Sequence, residues 1–366
     1  MTDLRKTPLH ALHTELGGRL VDFAGWELPI QYEGVIAEHT WCRQSAGLFD
    51  VSHMGVVELR GDDPATALER LTPAAITSLQ PGKIRYSLFT LDNGGVLDDL
   101  MVTNAGDYLI LVVNAARRPV DLPHLRDGLP ELDVVERDDL ALLALQGPKA
   151  VDALARLVPS VADLYFLEAT TVELDGTQIG VSRSGYTGED GFELTIPNDA
   201  AERIARLLLA QPEVKPAGLG ARDSLRLEAS LCLYGHELDE TTTPVEADLT
   251  WTMPKRRREA RDFPGADIIM DQYDNGPARL RVGLAPEGKR PVRDGTSLRT
   301  PEGEPAGTVS SGGYGPTVER PIAMGYVSTE HSAIGTTLIA DVRGNDVTVV
   351  VCELPFSPNH YHRPAR

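Results

Sequence analysis

Apolar residues recur along this chain at two spacings, and the two alternate from one stretch to the next. Ala201, Ile204, Leu207 and Leu208 fall at helical spacing, so Asn198–Leu209 reads as an amphipathic helix capped by Asn198 or Asp199. Thr7-Pro8 reads as a cap and first turn of a helix running to about residue 16, where Gly17-Gly18 stops it. Further helices are expected over residues 36–46, over 64–71 with Asp62 or Asp63 as cap, after Gln146-Gly147-Pro148, and over 220–228. Residues 86–90 and 97–103 read as two strands joined by Asp92-Asn93-Gly94-Gly95, a hairpin signature. Residues 56–59 and 142–145 read as strands, and residues 108–113, apolar on both faces, as a central one. Hairpins mixed irregularly with helices predict an α+β chain with antiparallel sheets, not a doubly wound parallel sheet. Beyond Arg279 the pattern changes. Short strands over 280–284, 307–310, 322–327, 337–342 and 347–353 sit between Gly/Pro turns, which predicts a small β barrel or sandwich after a joint at Asp274-Asn275-Gly276-Pro277.

With 366 residues the chain has room for two or three domains, and a 42% hydrophobic, 24% charged composition is that of a globular protein. A formal net charge of −19 repels phosphate backbones and anionic membranes, so neither nucleic acid nor membrane is expected as a partner. No stretch is long and apolar enough to span a bilayer, and the first six residues read as lacking a signal or transit peptide. Cys42, Cys232 and Cys352 are far apart and lie among apolar residues, which predicts buried, reduced thiols, no metal site and a cytoplasmic address. No G-x-G-x-x-G or Walker loop follows a strand, so nucleotide phosphates are not expected.

Candidate chemistry lies in three stretches. In Gly94-Gly95-Val96-Leu97-Asp98-Asp99-Leu100 two carboxylates are adjacent at a strand start, where neighbours face opposite sides. One can face a cleft and do proton or cation chemistry; the plain alternative is an acidic turn. Gly185-Tyr186-Thr187-Gly188-Glu189-Asp190-Gly191-Phe192-Glu193 puts a carboxylate into an apolar strand, either for a ligand or as one half of a structural ion pair. Arg222 falls at the first turn of its helix, offering a planar donor fork to an anion or, alternatively, a surface pair to Asp223 or Glu228. His53 reads as structural. The run Lys255-Arg256-Arg257-Arg258 is either a solvated helix face or a positive patch for an acidic partner.

These stretches occur in order with Phe23-Ala24-Gly25-Trp26, Leu48-Phe49-Asp50-Val51-Ser52-His53-Met54, Ala221-Arg222-Asp223-Ser224-Leu225-Arg226-Leu227-Glu228, Thr243-Pro244-Val245-Glu246 and Ala323-Met324-Gly325-Tyr326-Val327. Together they resemble the glycine cleavage system T-protein (aminomethyltransferase) family over nearly the whole chain. The resemblance implies a three-domain folate-binding aminomethyltransferase fold with a small C-terminal β barrel. It implies residues 1–275 as two interleaved α+β parts (roughly 1–50 with 140–240, and 51–139 with 241–275), followed by a barrel over 276–366. It implies tetrahydrofolate as co-substrate and the lipoylated H-protein as carrier, with P-protein and L-protein as indirect partners. The products expected are ammonia and 5,10-methylenetetrahydrofolate. By position, Asp99 matches the family's catalytic aspartate. Glu193 and Arg222 match its folate-binding pair, and Tyr361 its C-terminal tyrosine. Tyr186, Met54 and Asn114 match positions lining the folate cavity.

Two relatives of this fold stand as alternatives. One is a folate-dependent demethylating module of the dimethylglycine or sarcosine kind, which usually follows a flavin domain. The other is a non-enzymatic folate-binding factor of iron–sulfur maintenance, which carries a cysteine signature this chain lacks. H-protein is typically acidic, as is this chain, so residues 255–258 are the expected docking patch.

Overall fold

A computed structural model describes residues 4–364 of the chain. Its first sheet has six strands in the order Glu168–Leu174, Thr177–Arg183, Gly191–Pro197, Leu140–Gln146, Ala46–Asp50 and Val214–Pro216. Only the last pairing is parallel. A second sheet of five antiparallel strands runs Ile84–Thr90, Val96–Asn104, Leu109–Val113, Gly55–Arg60, Asp133–Glu136. The third unit is a closed six-stranded barrel over Arg279–Pro286 to Asp346–Cys352, shut by pairing of its first and last strands. This is the expected α+β architecture with a terminal barrel.

Each sheet is held by its own apolar cluster. Helix Asn198–Leu209 lays Ala201, Ile204, Ala205 and Leu208 against the first sheet, where Leu143, Leu145, Phe192 and Leu194 are buried. Helix Arg118–Gly128 lays Leu122 and Leu125 against the second, beside Val102, Leu111 and Phe89. The expected hairpin forms, and residues 109–113 take the middle of their sheet. Gly94 turns the hairpin at φ +80°, and Gly95 has no room for a side chain, since a Cβ there would meet the Glu240 carbonyl at 1.9 Å.

Several sequence expectations change. The first helix begins at His10; the Thr7 hydroxyl donates to Asp50 Oδ2 at 2.6 Å instead of capping. Asn198 does not cap its helix but donates from Nδ2 to the Asp138 carbonyl at 2.8 Å. Asp63, by contrast, caps Pro64–Leu68 as expected. Strand Ala46–Asp50, buried along its whole length, carries no period-two signal, and its first residue falls where the sequence predicts the end of the helix over 36–46. Cys42 and Cys232 are buried, but Cys352, at the end of a barrel strand, is only half-buried. Among the described residues no helix is long and apolar enough to cross a membrane.

Candidate active site

Period-two alternation along Val96–Asn104 separates the two aspartates. Asp98 is wholly buried, while Asp99 is half-buried on the opposite face. The register pairing Met101 with Val112 carries Asn114 alongside Asp99, and the register pairing Leu88 with Asp99 places Tyr86 diagonally across it. Asn114 Nδ2 donates to Asp99 Oδ1 at 2.8 Å and to the Asp99 carbonyl at 3.1 Å; Tyr86 Oη donates to Asp99 Oδ2 at 3.0 Å. Burial pushes the Asp99 carboxyl up to about 7, and the negative charge of Asp98 adds to the push. The bonds from Tyr86 and Asn114 oppose it. A carboxyl balanced at that value can accept or return a proton at neutral pH.

Glu193 enters from the first sheet. Its strand pairs it between Ser182 and Ala144, and Ser184 Oγ donates to Glu193 Oε2 at 3.2 Å. Burial raises this carboxyl, and the charge of Arg222 draws it back. The two make no contact ion pair, so the structural-pair alternative does not hold. Arg222, on helix Leu219–Glu228, places its guanidinium 4.6 Å from the Tyr186 ring centroid. Asp223 is taken by Arg226 at 2.8 Å, and Glu228 by His39 and Arg43 at 3.1 Å each, so the surface-pair alternative for Arg222 also fails. Tyr186 donates its hydroxyl to the Cys232 carbonyl, and the Asp99 charge reaches both residues. Asp99, Tyr186, Arg222 and Glu193 thus form a series in which each group's charge reaches the next.

Met54 packs against the cluster containing Ala221 and Leu225, on the helix that carries Arg222. It also lines a cleft of about 460 Å³ together with Trp26, Ser52 and Arg118. Tyr361 is not brought to Asp99 or Arg222 by any contact: it stacks on Phe166 at 4.0 Å between centroids. Its neighbour His360 ties the tail to the Tyr186 loop through a 2.8 Å bond to the Gly188 carbonyl. His53 is buried edge-on to Phe23, and burial with the nearby Arg222 charge holds it at about 4, hence neutral. Two residues escaped the sequence reading. Tyr86 was open to discovery by the diagonal rule once the hairpin was drawn. Trp251, 66% exposed and stacked on Tyr86 at 5.5 Å, left no sequence signal.

The basic run divides between the interior and the surface. Arg257 is buried and donates to the Glu69 and Thr72 carbonyls, Arg256 donates to Glu69 Oε1 at 2.5 Å, and Arg258 lies over the Tyr273 ring. Arg256 and Arg257 thus tie helix Lys255–Ala260 to the body of the protein, while Lys255, 80% exposed, faces only Glu259 of its own helix at 3.6 Å. Among the described residues no group of three or more His, Cys, Asp or Glu is arranged to hold a metal ion.

The arrangement brings a carboxyl able to exchange a proton, a tyrosine, a guanidinium and a second buried carboxyl close together, a set of donors and acceptors that suits a flat, donor-rich heterocycle. Residues 9–257 match the family described as the GCVT N-terminal domain, and residues 279–357 the glycine cleavage T-protein C-terminal barrel domain. The chain is 46% identical to the mitochondrial aminomethyltransferase of Gallus gallus, over 98% of this chain and 94% of that protein. It is 45% identical to that of Homo sapiens, over 98% and 91%. The crystal structure of the glycine cleavage system aminomethyltransferase T from Bartonella henselae superposes with a TM-score of 0.94 at 39% identity, covering 98% of this chain and 100% of that one.

Proposed function

The chain belongs to the glycine cleavage T-protein family and is an aminomethyltransferase; from that premise we propose tetrahydrofolate as its co-substrate, the lipoylated H-protein as its carrier and Asp99 as its catalytic group. The observation that carries the reading is Asp99 itself, a half-buried carboxyl held by Tyr86 and Asn114, raised to about 7, and close enough to Tyr186 for its charge to act there. In the proposed reaction the methylene carbon leaves its sulfur and its amine and joins the two folate nitrogens. Two folate N–H protons are released; one goes to the amine, leaving as ammonia, and one to the lipoyl sulfur. Asp99 takes up such a proton and returns it, and in its ionised form stabilises the cationic methylene between leaving group and nucleophile.

Glu193 accepts from adjacent N–H donors on the pteridine edge, and Arg222 holds that charge in place and bonds the ring oxygen. Tyr186, Met54 and Asn114 complete the folate-binding set in this reading: Asn114 bonds Asp99, Tyr186 lies under Arg222, and Met54 packs on the helix that carries Arg222. Tyr361 meets the substrate from the tail side, next to the Tyr186 loop. P-protein and L-protein act through the carrier. The stretches 1–50 with 140–240, 51–139 with 241–275, and 276–366 are our division of the chain, supported by sheets drawn from within each. The free thiols support a reducing compartment, which we take as the cytoplasm.

Ammonia release from an aminomethyl-loaded lipoyl carrier tests the reading. Release is expected to need tetrahydrofolate; release at the same rate without it, or no release, overturns the assignment. Glu193→Gln is expected to weaken tetrahydrofolate binding by about tenfold to a hundredfold in calorimetric titration, because the amide turns a donor toward donors. An unchanged dissociation constant removes Glu193 from the site.

A further inference from the structure

Behind Asp99 the protein buries two more carboxyl groups, Asp98 and Asp121, both 0% exposed. Asp98 accepts from Asn114 at both oxygens, from Nδ2 at 2.9 Å and from the backbone N–H at 3.1 Å. Asp121 projects from helix Arg118–Gly128 into hydrogen-bonding contact with Asp98. Neither Asp121 oxygen has an N–H or hydroxyl donor. Two touching carboxyl groups shielded from water cannot both be ionised. Two amide donors favour the anion at Asp98, and nothing equivalent favours it at Asp121. The cation whose charge reaches Asp121 is Arg117, but its Nη2 is bonded to Glu240 at 2.8 Å, and its buried Nε has no partner.

We propose that Asp121 is a neutral carboxylic acid in the working protein, that it donates its proton as a hydrogen bond to Asp98, and that through Asp98 and Asn114 it positions Asp99 for aminomethyl transfer. The chain of contacts is continuous. Asn114 Nδ2 lies against Asp98 Oδ1 and Asp99 Oδ1 together, so an anchored Asp98 fixes the plane of the amide that Asp99 accepts from. The fixed negative charge of Asp98 also favours the proton on Asp99. Burial pushes Asp121 up to about 10, in keeping with that assignment. Other titratable groups facing the cluster stay neutral at working pH. Tyr86 and Tyr186 beside Asp99 are raised by burial, Cys232 and Tyr234 are raised to about 12, and burial lowers His124 on the Asp121 helix.

Asp121 is a positioning residue, and its role rests on Asp99 being the catalytic group. Infrared spectra of protein with isotope-labelled aspartate test it at about pH 9, where Asp99 is ionised and Asp121 is not. A protonated-carboxyl stretch is expected in the parent protein and in Asp99→Asn, and is expected to vanish in Asp121→Asn. Asp121→Asn keeps a donor toward Asp98 and is expected to retain turnover within about threefold, whereas Asp121→Leu is expected to lose about tenfold to a hundredfold in kcat at unchanged folate KM. In the leucine variant Asp98 loses the bond from Asp121 that offsets its burial and shifts toward its neutral form, so the acid limb of the kcat profile is expected to move down by about one pH unit. The proposal fails if the stretch is absent from the parent protein, if it persists in Asp121→Asn, or if the asparagine variant is as slow as the leucine one. Failure of the Asp99 reading looks different: Asp99→Asn would turn over normally while the infrared result stood.

Discussion

Asp99→Asn is expected to lower kcat by about a thousandfold or more while leaving tetrahydrofolate affinity within about threefold. The asparagine fits the same space and can still meet Asn114 and Tyr86, but it can neither hold a proton nor carry the negative charge a cationic methylene requires. Single-turnover ammonia release and calorimetry on one preparation check the two halves separately. A variant that turns over at the parent rate ends the assignment, and one that loses folate binding equally moves Asp99 into the binding set. In the parent protein kcat is expected to fall as pH drops through about 7, where Asp99 becomes neutral.

The same substitution carries a stability signature. The folded carboxyl sits near 7 against an ordinary 3.8, so its contribution favours the folded state below the ordinary value and is lost as pH rises through 7. Asparagine does not ionise. The ligand-free variant is therefore expected to be more stable than the parent above pH 7, by about 1–2 kcal/mol once water in the cavity is allowed for, and no more stable near about pH 3. Function at this position is bought with stability, as is common at sites that hold a group against its preferred protonation.

Glu228→Ala is expected to destabilise the fold by about 3–5 kcal/mol, read from the midpoint of urea unfolding. Glu228 is wholly buried at the end of the Arg222 helix. It accepts from Arg43 at 3.1 Å and from the Thr317 backbone N–H at 2.7 Å, and meets His39 at 3.1 Å. Removing it leaves a guanidinium, an imidazole and a barrel-loop amide buried without their shared acceptor. These bonds hold Glu228 down at about 2 against an ordinary 4.5. Its contribution is therefore present above 4.5 and lost as pH falls through 2, so parent and variant are expected to converge in strong acid. Equal urea midpoints at neutral pH would show that the network is dispensable.

Much of the second sheet was legible in the sequence because its signals are local. The Asn93-Gly94 turn between two apolar runs fixes the hairpin, and the alternation of side chains along any strand says that Asp98 and Asp99 part company. Which of the two meets the cavity depends on which face the helix Arg118–Gly128 covers, and no short-range pattern carries that. Glu193, Tyr186 and Arg222 lie on different elements that topology brings together, so their grouping rested on family resemblance. The burial of Arg257 within the basic run was not legible for a related reason. Two of the acceptors that bury Arg257 are backbone carbonyls of Glu69 and Thr72, almost two hundred positions away in the chain, and carbonyls have no sequence signature. Asp121 lies on a helix, Arg118–Gly128, that the sequence pattern did not announce, and only the unpartnered state of its oxygens sets it apart.

The two sheets are also ordered in time. All five strands of the second come from residues 55–136, whereas the first joins Ala46–Asp50 to strands that begin at Leu140. As the chain leaves the ribosome, the inner sheet is complete while Ala46–Asp50 still lacks both neighbours. That apolar strand must wait through about ninety residues of synthesis with open edges, the interval in which a chaperone would have most to do.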